Sequence, residues 1–211
     1  MNTSWKFITF LSMVCAGSYA AEPLVGSPYA QAQAEILRFG DRELRDIVGT
    51  GYGLGVAGNL PLAERIDGHL TVDKVWADGS SGGVKQDFET IGFQLAGVFW
   101  LPSQGICHPL GILHLDYFEV DGTSETAGEE KEGIGDNALG GGVNVGAELT
   151  LSETLWTRIS GGFFHSDGEE SEDIEGEIGA WVSRDLLLST GVNYEFEGQD
   201  VIGTLYLTRR F

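Results

Sequence analysis

His165 and Ser166 are neighbours, with Asp167 and Glu169 just beyond them. An imidazole, a hydroxyl and a carboxylate are the parts of an activated nucleophile, provided the imidazole reaches the hydroxyl proton. Neighbouring residues of an extended chain point to opposite faces. In a strand this pair cannot share a proton, so His165 reads as a loop-edge histidine and no catalytic residue is expected. A second polar set recurs at alternate positions in apolar stretches: His69, Asp73, His114, Asp116, Asn144, Glu148, Arg158, Glu175, Glu177, Asn193, Glu195, Tyr206 and Arg210. Gathered inside a barrel, such carboxylates need cations, donors or water. Glu148, Arg158, Glu175, Glu177, Glu195, Tyr206 and Arg210 are the expected interior network. Glu148 and Arg158 flank a tight turn at residues 152–154, which predicts adjacent strands and similar depth. The network would serve as a packed plug or as the lining of a narrow polar pore. A third chemistry is hard-cation binding by Asp167, Glu169, Glu170, Glu172 and Asp173. Their spacing matches no EF-hand, so the run reads as solvated charge that attracts Ca²⁺ or Mg²⁺ without a dedicated metal site. No Cys/His cluster, phosphate loop or nucleotide fingerprint is present, and no cofactor is expected.

The elements that position these residues are strands of period two. Residues 201–211 set Val201, Gly203, Leu205, Leu207, Arg209 and Phe211 against Ile202, Thr204, Tyr206, Thr208 and Arg210. The pattern recurs at residues 47–58, 67–76, 87–101, 110–120, 138–151, 155–165, 173–183 and 186–197. These lengths suffice for a tilted strand, which needs ~9 to 11 residues to cross the hydrocarbon of a bilayer. In residues 47–58 the face of Gly51, Gly53, Gly55 and Ala57 is expected to point inward. Residues 29–39 fit a strand or a helix, since Ala, Gln, Glu and Leu suit both readings. Parity favours the strand, because bacterial single-chain barrels have even strand numbers. Ten strands are therefore predicted, with eight strands plus an N-terminal helix as the alternative.

Connections at residues 41–46, 78–86, 121–137, 166–172 and 198–200 are acidic and often long. Those at residues 59–65, 102–109, 152–154 and 184–185 are shorter and less acidic. Longer loops belong outside the cell and short turns in the periplasm. That register puts Trp76, Phe88, Tyr117, Phe163 and Tyr194 near the outer ends, and Phe99, Trp100, Trp156 and Phe211 near the inner ends. These resemble the aromatic girdles of a membrane barrel. The competing architecture is a soluble, lipocalin-like barrel, in which the apolar faces would point inward.

Residues 1–20 read as a signal peptide, with Lys6, a short apolar core and Ser18-Tyr19-Ala20 as the cleavage site. Residues 21–28 read as a linker and residues 29–211 as the barrel. Removing the signal would leave Cys107 as the single cysteine, so the mature fold is expected to hold without an intramolecular disulfide. The net charge of −20, from 32 acidic and 12 basic residues, disfavours a nucleic-acid partner. No later apolar run is long enough for a transmembrane helix, so any crossing must use strands. The 32 glycines suit curved barrel strands.

The hairpin pattern and the terminal Phe211 resemble the outer-membrane β-barrel superfamily of small OmpA-like proteins. The resemblance implies an all-β, antiparallel up-and-down transmembrane barrel in the outer membrane of a Gram-negative bacterium. It also implies that Leu205, Leu207 and Phe211 carry the assembly signal read by the barrel assembly machinery. Outer-membrane lipid and lipopolysaccharide are the implied surroundings, with divalent cations at the acidic loops. Lipid A deacylases are outer-membrane barrels with a His, a Ser and a Glu near the outer rim. In that family the His and Ser are one residue apart and share a face, which adjacent His165 and Ser166 do not match. The expected function is a non-enzymatic envelope protein, with a small channel and then a lipid A-modifying enzyme as alternatives.

Overall fold

Inward glycines and small polar residues, alternating with outward Leu, Val, Ile and Phe, fold the chain into one closed sheet. The computed structural model describes residues 23–40, 49–81, 84–103, 105–126, 132–166 and 169–211. The ten strands are β1 (Tyr29–Arg38), β2 (Thr50–Ala63), β3 (Ile66–Ser81), β4 (Val84–Trp100), β5 (Cys107–Thr126), β6 (Glu132–Thr150), β7 (Leu155–Ser166), β8 (Glu169–Trp181), β9 (Leu186–Glu195) and β10 (Val201–Arg210). Each pairs antiparallel with its sequence neighbour, and β1 pairs with β10 from Tyr29↔Arg210 to Arg38↔Val201. The segment left between strand and helix is thus the strand that closes the barrel. The expected signal peptide lies outside the described residues. So does Cys15, and with it the question of a disulfide; Cys107 is fully buried at the foot of β5.

The apolar faces point outward. Leu54, Val56, Leu95, Leu115, Val145, Leu205 and Leu207 are all exposed. Water-soluble proteins rarely expose a continuous apolar belt, whereas a spanning barrel requires one. The soluble alternative is excluded by this reversal.

Two expectations change. The acidic outer connections are shorter than expected, because the ladder continues through them. β3 and β4 pair up to Ser81↔Val84, and β5 and β6 pair as far as Ser124↔Glu132. Gly and Asp discourage strand readings locally, yet a hairpin already in register extends through them. With 20 residues against 10, β5 outreaches β10 by about 30 Å of strand at ~3.3 Å per residue. Strands β3 to β6 therefore rise above the outer rim as a wall. The girdles are also thinner than expected. Trp156 is fully buried, and Trp100 packs inside against Val25, Val98 and Leu110. Phe88 lies across the inner face over Gly122. Trp76, Phe163, Phe99 and Phe211 do face outward.

Gly142 is among the glycines fixed by close approach. A Cβ on Gly142 would run into the Phe163 carbonyl and the His114 ring. Gly142→Val is expected to cost ~1–3 kcal/mol by overpacking. Urea unfolding in detergent micelles, followed by tryptophan fluorescence, checks this.

Candidate functional site

The lumen has two layers. In the lower one Glu148, fully buried on β6, faces Arg158 on β7 in direct register. Glu148 Oε1 accepts a charge-assisted hydrogen bond from Arg158 Nη2. Its Oε2 accepts the backbone N–H groups of Leu24 (2.9 Å) and Val25 (3.2 Å). The expected linker thus enters the periplasmic mouth. Gly26, at φ 78°, turns the chain and donates its N–H to Asp67 Oδ2 at 2.7 Å. Asn59 Nδ2 donates to both Asp67 (3.1 Å) and the Ser27 carbonyl (2.9 Å).

Inward positions around this segment are large and apolar. Leu24 sits with Tyr29, Trp156, Leu187 and Trp181, and Val25 with Val98, Leu110, Trp100 and Ile112. The two side chains fill two sockets in the wall. The sequence reading named Glu148 and Arg158 but missed Asn59, Asp67, Leu24 and Val25. The available signal was the set of bulky apolar residues on the polar parity near the inner strand ends, which need an apolar partner inside the lumen.

Above the plug a hydrogen-bonded belt crosses the wall. Gln94 Nε2 donates to Asp116 Oδ1 at 2.8 Å. His114 bridges Asp116 and Asn144 through its two ring nitrogens, at 2.5 and 3.0 Å. Asn144 (3.2 Å) and Asn193 (2.8 Å) both donate to Asp173. Beside the belt's end on β8 and β9, Tyr206 approaches Glu175 at 3.5 Å, and Ser189 donates to Glu177 at 2.5 Å. Glu195 is half-buried at the outer end of β9. Arg210 lies at the foot of β10, with its guanidinium 4.9 Å from the Trp181 ring centroid and donating to the Arg184 carbonyl at 3.0 Å. The network therefore divides, with Arg158 and Glu148 in the plug and Arg210 at the mouth. A cavity of about 310 Å³ remains, lined by Glu35, Asp73, Asp116, Glu175 and Glu177 and by Arg158.

The rim pair does not assemble. His165 is exposed, with Glu170 3.9 Å away, and Ser166 Oγ donates to the Leu139 carbonyl at 3.4 Å. Asp167 lies outside the described residues, and among the described residues no three His, Cys, Asp or Glu converge as a metal site. In the periplasmic turn between β8 and β9, Ser183 donates to Asp185 at 2.7 Å, which holds that carboxyl below its ordinary range. The outer face of the wall is acidic. Asp78 stands directly opposite Asp87, and Glu89 opposite Asp121. Lys74 pairs with Glu89 and lies over the Trp76 ring at 5.5 Å. A shallow groove of about 520 Å³ runs along these residues.

No family model and no curated protein matches the chain. Solved structures do match. The translocator domain of autotransporter NalP from Neisseria meningitidis is 9% identical, with a TM-score of 0.55 over 99% of this chain and 94% of that one. The transport unit of autotransporter AIDA-I from Escherichia coli is 11% identical, with a TM-score of 0.51 over 96% and 97%. A major outer membrane protein from Thermus thermophilus is 13% identical, with a TM-score of 0.47 over 88% and 100%. At such identities the likeness is one of fold. The apolar exterior of the closed barrel supplies a physical reason for a membrane setting, and the chain shares the closed antiparallel β-barrel fold of these outer-membrane proteins.

Proposed function

We propose that this is a non-enzymatic envelope protein that holds an acidic wall above the outer membrane and contacts lipopolysaccharide through divalent cations. The observation that carries this reading is the register of the wall, where Asp78 meets Asp87 and Glu89 meets Asp121 across the strands. Like charges directly opposite each other destabilise a sheet. Lys74 offsets part of that charge, and the remainder calls for counter-ions. Lipopolysaccharide phosphates beside the wall are themselves anionic, so a shared divalent cation joins the two. The rim geometry of His165 and Ser166 supports the non-enzymatic half of the reading. The outward-facing Leu205, Leu207 and Phe211 are the proposed assembly signal for the barrel machinery.

The test is a magnesium titration of the protein in vesicles containing lipopolysaccharide, reading the unfolding temperature. The parent is expected to gain stability with Mg²⁺, and the Asp87→Asn/Asp121→Asn variant to lose most of that gain. An equal response in both proteins overturns the reading.

A further inference from the structure

The segment that closes the periplasmic mouth is separable from the barrel it closes. β1 begins at Tyr29, and its ladders to β2 and β10 include nothing of residues 23–28. Pro28 still accepts the backbone N–H of Phe211 at 3.0 Å, and residues 23–27 before it are anchored to the wall by side chains. Glu148 takes two of their amides, Asp67 takes one, and two sockets take Leu24 and Val25. Gly26 and Tyr29 bracket the point where the segment leaves the sheet, and the positive φ of Gly26 turns it into the lumen.

We propose that residues 23–27 are a displaceable gate, and that with the gate withdrawn the lumen passes small inorganic cations. Two independent features carry this. The first is mechanical: withdrawal breaks hydrogen bonds to side chains and empties two apolar sockets, while every strand pair stays intact. The second is the charge of the path. The cavity above the gate is lined by five carboxylates, Glu35, Asp73, Glu175, Glu177 and the His114-bound Asp116, against one guanidinium, Arg158, already committed to Glu148. Withdrawal also strips the amide donors from Glu148 Oε2 and Asp67 Oδ2, adding carboxylate oxygens at the constriction. A low-dielectric wall focuses such a field and concentrates cations over anions. Ten strands enclose far less than the 16 to 18 of a porin, so the path suits ions rather than solutes.

The experiment is recording from planar bilayers across a KCl gradient, with the folded state checked by the shift in gel mobility on boiling. The parent protein is expected to be nearly silent. Leu24→Asp/Val25→Asp drives both side chains from their sockets and is expected to open about tenfold more often or more. Its reversal potential should lie on the potassium side. A folded variant as silent as the parent, or one that prefers chloride, overturns the proposal. So does a parent that opens as freely as the variant. If the charged variant yields no heat-shifting band, Leu24→Ala/Val25→Ala enters the same assay and the same results decide. None of these outcomes bears on the magnesium response of the wall, so the two readings fail separately.

Discussion

Glu148→Gln is expected to lower the unfolding free energy by about 3 kcal/mol, the lower end of the cost of breaking a buried ion pair. Gln preserves shape and still accepts the amides of Leu24 and Val25. What disappears is the charge that balances Arg158 and, with it, the acceptor for Arg158 Nη2, because the amide nitrogen that replaces Oε1 can only donate. The lower end applies because the Arg158 side chain keeps 20% of its surface and the Glu177 carboxylate lies within electrostatic reach. The companion variant separates the ionic contribution from the packing. In Glu148→Gln/Arg158→Met the pair is removed whole, and replacing both partners of a buried pair is often neutral, the residual cost being the guanidinium's attraction for Glu175 and Glu177. The double variant should therefore recover most of the loss, a coupling that a double-mutant cycle measures directly. Urea unfolding of the four proteins in one detergent gives it. A single variant as stable as the parent would mean that neither the charge of Glu148 nor its hydrogen bond from Arg158 contributes.

The strands and their facing were legible because a one-residue period shift would move a whole apolar set from lipid to lumen. Leu205 and Leu207 against Tyr206 and Thr208 admit one orientation in a bilayer. Residues 29–39 were ambiguous by propensity, and only the global requirement of an even, closed sheet resolved them. The Glu148–Arg158 contact was legible because a tight hairpin converts sequence distance into register. The gate was not. Pro23-Leu24-Val25-Gly26 has no period, and its anchors come from residues 67 and 148 on distant strands, a pairing no local pattern carries. The same blindness misassigned Trp100 and Trp156. An aromatic near a strand end reads as an interfacial anchor, and only its parity, inward at both positions, reveals a socket. The wall was missed for a different reason. Its residues are poor strand formers, and they pair because the hairpins below them are already aligned.

Leu205→Arg is expected to destabilise the folded protein in a bilayer by ~2–4 kcal/mol, the cost of an arginine at the midplane of a barrel's lipid face. Leu205 is half-exposed at the centre of β10, paired with Ala34 and Thr190. The cost arises because lipid offers the guanidinium neither water nor a counter-charge. Depth then becomes the diagnostic. Leu60 is equally outward but lies near the turn into β3, opposite Gly68. Leu60→Arg can send its charge to the interface and should cost only ~0–1 kcal/mol. In water the same two positions would be exposed leucines, and arginine at either would be harmless. Unfolding free energies of the parent and both variants, measured in vesicles of one lipid composition, decide the matter. A large loss at Leu205 with a small one at Leu60 follows only if that outward face is buried in hydrocarbon. Two equal and negligible losses would remove the bilayer from the account of this barrel's stability.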